Sequence, residues 1–200
     1  MDKNIYLSKN EIEILTFFTA NLTKKYNKRS VALKLNKDPS QIHKVITNLI
    51  KKEYLTKDEN NLLSLDYKKN INELCYIESL KTKSFSDETI RFFVNQTINN
   101  IKEEYLILIL FGSAMEKKNP NDYDILAITK QDKTEFIEKT LQNTSDLTTK
   151  KFDLTVISTD DVYEMASKRE EKNVFNELLN KHLILYGYEN FYYLLKNARQ

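Results

Sequence analysis

Two hundred residues allow one large domain or two small ones, each able to bury a core. A single cysteine, Cys75, excludes a disulfide framework and a cysteine-rich zinc site, and no apolar run approaches the roughly 18 to 20 residues that span a bilayer. The 31 Lys+Arg and 29 Asp+Glu nearly balance, but residues 1–66 hold 12 basic against 8 acidic side chains and the remainder 19 against 21, a distribution that suits a nucleic-acid-binding front joined to something else.

No apolar leader follows Met1, so the expectation is a soluble, cytoplasmic protein with no membrane partner. In chain order, Ile12, Leu15, Phe17 and Phe18 predict a first helix over 9–20, and a shorter helical segment spans 29–35. The next helix is the clearest. Asp38 is a good N-cap, Pro39 fits the first turn, Gln41 completes capping-box spacing, and Ile42, Val45, Ile46, Leu49 and Ile50 keep the helical period. That leaves Ser40, Gln41, His43, Lys44 and Thr47 facing outward, with Lys51 beyond them. YLTKDENNLLSL then reads as a two-stranded wing with a tip at 57–61.

This order matches a winged helix-turn-helix, whose third helix enters the major groove of double-stranded DNA. Ser40, Gln41, His43, Lys44 and Thr47 are then the candidate DNA contacts, with Gln41 and Lys44 reaching base edges or phosphates. A dimerisation or protein-docking module is the other reading of the same pattern. Winged helices commonly pair on DNA, so a homodimer is expected. Helices over 69–80 and 85–103 follow, separated by the polar cluster Lys81–Ser86. With only two glycines and two prolines in the chain they form a rigid connection, and the second packs on the sheet that comes next. The resulting boundaries are 1–66, a connector over 67–87, and 88–200.

The back opens on a continuous apolar strand, Tyr105–Phe111, then Gly112-Ser113, the loop AMEKKNPN, and Asp122-Tyr123-Asp124 leading a second strand to Thr129. Carboxylates at i and i+2 on a strand share a face, so Asp122 and Asp124 can grip one cation, while a Gly-Ser turn lets backbone N–H groups approach a phosphate. A helix over 133–143 and a third strand over 150–158 follow, the latter carrying Asp153 among apolar residues. A carboxylate buried in a central strand needs a cation or donors, so Asp153 is read as a third acid on the same surface. Three hard oxygen donors select Mg²⁺ or Mn²⁺ over zinc.

The Gly-Ser turn, the Asp-x-Asp on the following strand and the later strand Asp resemble the DNA polymerase beta-like nucleotidyltransferase superfamily, in size its minimal members. The similarity covers roughly residues 88–196, including KHLILYGYENFYYLL as a closing strand and helix. Family members commonly follow the Gly-Ser with an arginine and a further glycine. This loop has neither, and Lys117 or Lys118 is the candidate replacement cation. The resemblance implies an α+β fold: an N-terminal winged helix-turn-helix and a nucleotidyltransferase domain whose small mixed sheet is flanked by helices. It implies that Gly112 and Ser113 hold the triphosphate, that Asp122, Asp124 and Asp153 bind Mg (or Mn), and that Asp153 assists nucleophile deprotonation. The implied reaction transfers a nucleoside monophosphate, AMP from ATP first among the NTPs, to a protein, RNA or small-molecule hydroxyl. Minimal relatives often act as antitoxins that adenylylate a partner toxin. A DNA-binding transcriptional regulator that senses a nucleotide or partner without turnover is the alternative, and a toxin modifying tRNA ends is a third.

Overall fold

A computed structural model describes residues 7–101, 103–116, 120–168 and 171–199. Its front comprises helices α1 (Lys9–Thr19), α2 (Lys28–Lys34) and α3 (Pro39–Lys51) and an antiparallel hairpin of β1 (Leu55–Lys57) and β2 (Leu63–Leu65). Each helix begins where a side-chain oxygen meets the unpaired N–H groups of the first turn. Ser8 and Glu11 form a reciprocal box on α1, Asn27 accepts from Ser30 N–H on α2, and Asp38 accepts from Ser40 and Gln41 N–H on α3. The anticipated box at Asp38 is only half made. Gln41 does not return the bond, and the Ser40 hydroxyl donates to Asp38 instead.

The buried stripe of α1 is Ile14, Leu15 and Phe18, with Ile12 and Phe17 at its half-buried margin. The expected stripe is rotated to include Ile14 because Glu11 is also buried, holding α1 against α3. Its carboxylate accepts from Asn48 Nδ2 and from Lys52 Nζ, both at 2.7 Å. Burial pushes the Glu11 carboxyl up, but the bonds from Lys52 and Ser8 outweigh it and leave the group below the ordinary range.

Between the front and the sheet lie α4 (Ile71–Ser84) and α5 (Glu88–Asn100). The polar cluster Lys81–Ser86 does not break the first helix where expected; α4 continues to Ser84. Those polar groups are satisfied within the fold. Lys81 turns inward to Glu78, and the Thr82 hydroxyl donates to the Ile184 carbonyl at 2.7 Å.

The sheet holds β3 (Ile107–Phe111), β4 (Asp122–Thr129), β5 (Lys151–Ser158) and β6 (Leu183–Tyr186) in the order β5-β4-β3-β6. β3 runs antiparallel to β4 and β6, and β5 lies parallel to β4 after the crossover helix α6 (Thr134–Ser145). Helices α7 (Thr159–Ser167), α8 (Val174–Leu178) and α9 (Tyr188–Ala198) complete the described residues. α7 was legible in principle, since Ser158 and Asp161 form a capping box. The whole is a mixed α+β arrangement with a small mixed sheet flanked by helices.

Strand alternation divides the core. On one face Leu108, Leu110, Ile125 and Ala127 pack with Ile90 and Phe93 of α5 and Ile137 and Leu141 of α6. On the other, Ile109, Leu126, Ile128 and Ile184 join Phe191 and Leu195 of α9, Leu74 and Ile77 of α4, and Ile14, Leu15 and Phe18 of α1 in one continuous core. In the tail, therefore, Phe191 is core, Tyr188 is half-buried and Tyr186 lies exposed on the edge strand β6.

Where α4 joins the front to the sheet, the core contains polar groups. Glu78 is fully buried; its Oε1 accepts the Tyr192 hydroxyl at 3.0 Å, and Lys81 Nζ lies 2.7 Å from Oε2, an ion pair angled outside hydrogen-bond geometry. Lys81 also reaches Thr19 Oγ1 of α1 at 3.5 Å. His182, fully buried beside this pair, is pushed down to about 3 by burial first and then by Lys81. The Leu178 carbonyl opposes that shift, although neither ring nitrogen reaches hydrogen-bond geometry. Among the described residues no helix is long and apolar enough to cross a membrane.

Candidate functional site

β3 ends at Phe111 and the chain enters a 3-10 turn over Gly112–Met115. Antiparallel pairing sets Phe111 opposite Asp124, so the turn hangs over the start of β4. Gly112 has φ +68, and a Cβ there would lie 2.0 Å from Asp124 Oδ2 and 2.9 Å from its Cγ. Only a residue without a side chain permits this approach. Ser113 Oγ stands 3.5 Å from Asp122 Oδ1.

The parallel pairing of β4 with β5 sets Asp124 beside Asp153 and Asp122 beside Lys151. By alternation, Asp122 and Asp124 project to the face of Leu126 and Ile128, and Asp153 to that of Ile157, which is the same face. All three carboxylates predicted from sequence therefore share one surface at one end of the sheet. Asp124 registers the crowding: burial pushes its carboxyl up, the Asp122 charge adds to this, Ser113 N–H and Lys151 oppose it, and Asp153 contributes further upward pressure.

Asp153 differs from expectation in one respect. β5 is an edge strand and Asp153 is exposed, so burial does not require it to have a partner. The inference from a costly buried acid fails because strand order, which put β5 at the edge, is not written in the local pattern. What remains is its register with Asp124. The cation that acts on Asp124 is Lys151, which sequence reading passed over. The signal was available, since Lys151 stands two residues before Asp153 and shares its face. Lys117 and Lys118 lie outside the described residues.

Among the described residues no three His, Cys, Asp or Glu side chains converge as a ready metal centre. Mg²⁺ is ordinarily held by one or two carboxylates together with substrate phosphates, and the donor set fits that pattern. Asp122 and Asp124 supply hard oxygens, Asp124 carries like-charge repulsion that a cation relieves, and Gly112 makes room for the Asp124 carboxylate against the turn. Beside the turn a cavity of about 470 Å³ is lined by Phe85, Thr89, Met115, Glu116 and Lys150, among others. It lies toward Tyr123, whose hydroxyl donates to Asp87 at 2.5 Å.

In the front, Ser40, Gln41, His43, Lys44 and Thr47 are all exposed along α3. Two of them are already engaged: the Ser40 hydroxyl donates to Asp38, and the Thr47 hydroxyl to the His43 carbonyl at 2.8 Å. Gln41 and Lys44 extend outward, and Lys28 of α2 adds a cation 3.3 Å from His43 Nδ1. At the hairpin tip Asp58 pairs with Lys25 at 2.9 Å and accepts the Asn60 and Leu62 N–H groups, which explains the acid there as a turn former.

No family model and no curated protein matches the chain. A solved structure described as "PigF with SAH" is similar at 10% identity and a TM-score of 0.27, covering 77% of this chain and 58% of that one. The chain thus spans less than two thirds of that protein's length, and a likeness of this degree carries no argument about fold or function.

Proposed function

We propose that the chain is a minimal nucleotidyltransferase of the DNA polymerase beta-like superfamily, joined to a winged helix-turn-helix front that binds double-stranded DNA. The observation that carries the enzymatic reading is Gly112, a left-handed residue with no room for a side chain, set against the Asp124 carboxylate and followed by Ser113, whose hydroxyl stands 3.5 Å from Asp122. On this reading the backbone of Gly112 and Ser113 binds the terminal phosphates of an NTP, ATP first. Asp122 and Asp124 would hold Mg²⁺ or Mn²⁺, which when bound neutralises charge developing on the phosphates. Asp153, open to solvent, accepts the proton of the entering acceptor hydroxyl. The hydroxyl oxygen bonds to the α-phosphorus, the bond to the pyrophosphate oxygen breaks, and the nucleoside monophosphate remains on the acceptor.

The test presents the protein with each α-labelled NTP, Mg²⁺ and a cell lysate, alongside Asp124→Ala. The expected result is label transferred by the unmodified protein and none by the variant. Nucleotide bound without transfer to any acceptor overturns turnover in favour of a second reading, a DNA-binding regulator that senses nucleotide. The exposure of Asp153 and the lack of a converged three-carboxylate centre among the described residues favour that alternative.

For the front, the exposed basic face of α3 with Lys28 beside it supports binding to the DNA backbone. Affinity should then fall steeply with salt, and Lys44→Ala should reduce the slope of log K against log salt by about one. Association indifferent to salt would count against the DNA reading.

A further inference from the structure

Three consecutive residues between α8 and β6 touch both the front and the candidate site. The Leu22 N–H, in the turn after α1, donates to the Leu179 carbonyl at 3.0 Å. The Thr23 N–H donates to Asn180 Oδ1 at 3.1 Å, and Asn180 Nδ2 donates back to the Thr23 hydroxyl. Lys181 turns the other way: its ammonium pairs with Glu116, the residue that follows the Gly112–Met115 turn. The next residue, His182, is fully buried at the start of β6.

Lys181 has φ +118, a conformation unfavourable for any residue with a side chain. Its ion pair does not account for that cost. Both partners are more than half exposed, and pairs in water contribute little net stability. The backbone is held in this state by its neighbours, with Leu179 and Asn180 fastened to the front and His182 locked into the core. A strained residue over-determined on both sides, with its side chain aimed at a functional turn, points to a positional role.

We propose that Lys181 is a positioning residue for the Gly112–Met115 turn, and that the strap of Leu179, Asn180 and Lys181 makes the position of that turn and of the Leu22–Thr23 turn interdependent. Movement of Glu116 is passed through Lys181 to Asn180, and so to the loop that joins α1 to α2. The consequence drawn from it rests on the nucleotide reading of the site: nucleotide at Gly112 biases the DNA-binding front, and DNA reciprocally biases nucleotide affinity.

The Leu22 and Thr23 amides are natural reporters, because both bond to the strap. In the 200-residue chain, Lys181→Met should speed hydrogen exchange at these two amides by about twofold while leaving Ile46 and Leu49 in α3 and the unfolding midpoint unchanged. Lys181→Arg should restore protection. Unaltered exchange at Leu22 and Thr23 in Lys181→Met overturns the strap without involving any ligand. In a second arm, ATP with Mg²⁺ is added and its binding measured directly. Exchange at Leu22 and Thr23 should change in the unmodified protein and not in Lys181→Met. Binding of ATP with no change at these amides overturns the coupling and leaves the site reading intact. Failure of ATP to bind overturns the site reading, and the exchange result for Lys181→Met then decides the mechanical link alone.

Discussion

Gly112→Ala is expected to destabilise the protein by about 1 to 3 kcal/mol and, under the proposed nucleotide-binding function, to weaken ATP binding by about tenfold or more. Two effects combine. Alanine is disfavoured at φ +68, and its methyl carbon would lie 2.0 Å from Asp124 Oδ2, so the carboxylate must swing away from the turn. A double-mutant cycle separates them. In an Asp124→Ala background the 2.0 Å clash is gone and only the Cβ of residue 124 remains, at 3.3 Å, so Gly112→Ala should cost little more than the backbone term, and the two substitutions should be non-additive in urea titrations. Strict additivity would mean that the glycine is not there to admit the carboxylate. Gly187 provides the contrast. A Cβ there would lie 2.2 Å from the Leu106 carbonyl oxygen and 3.1 Å from Ile107 Cα, both backbone atoms of the neighbouring segment. Gly187→Ala should therefore damage the β3–β6 pairing and global stability more than Gly112→Ala. The chain's two glycines admit, respectively, an acidic side chain and a neighbouring strand's backbone.

Lys81→Met should cost about 3 to 5 kcal/mol, because it leaves the Glu78 carboxylate buried with no opposing charge. Tyr192 still donates to Oε1, but one neutral hydroxyl cannot replace an ammonium. Burial pushes the Tyr192 phenol well above its ordinary range, and the Glu78 charge adds to this, so the tyrosine keeps its proton and does not neutralise the carboxylate by transfer. Replacing both partners, Glu78→Gln with Lys81→Met, should return part of the lost stability, since a neutral amide needs no opposing charge and its Oε1 can still accept the Tyr192 hydroxyl. A double variant as unstable as Lys81→Met alone would show that the pair holds α1, α4 and α9 together through more than charge compensation.

Features that depend on neighbours in sequence could be read directly. The cap at Asp38, the apolar period of α3 and the strand ending in Gly112-Ser113 follow from rules spanning a few residues. Asp122 and Asp124 share a face because alternation along a strand is intrinsic to extended backbone. Lys81 could not be read in this way. The residues that follow it are Thr82, Lys83 and Ser84, all polar, and only the packing of α4 between α1 and α9 makes it a buried partner of Glu78. Lys181 likewise looks like an ordinary loop lysine until its φ and its reach to Glu116 are seen.

By itself, the sequence determined two patterns: a capped, basic-faced helix near the front, and a Gly-Ser turn followed by paired acids on one strand face. Both are local, because hydrogen bonding within a turn and alternation along a strand act over a few residues. Tertiary structure alone decided which acids are buried, which cation acts on Asp124, and that the front shares its core with the sheet. Those outcomes depend on strand order and on contacts between residues far apart in sequence. The Thr23–Asn180 bond, spanning 157 positions, is the clearest case, since no local pattern in the chain encodes it.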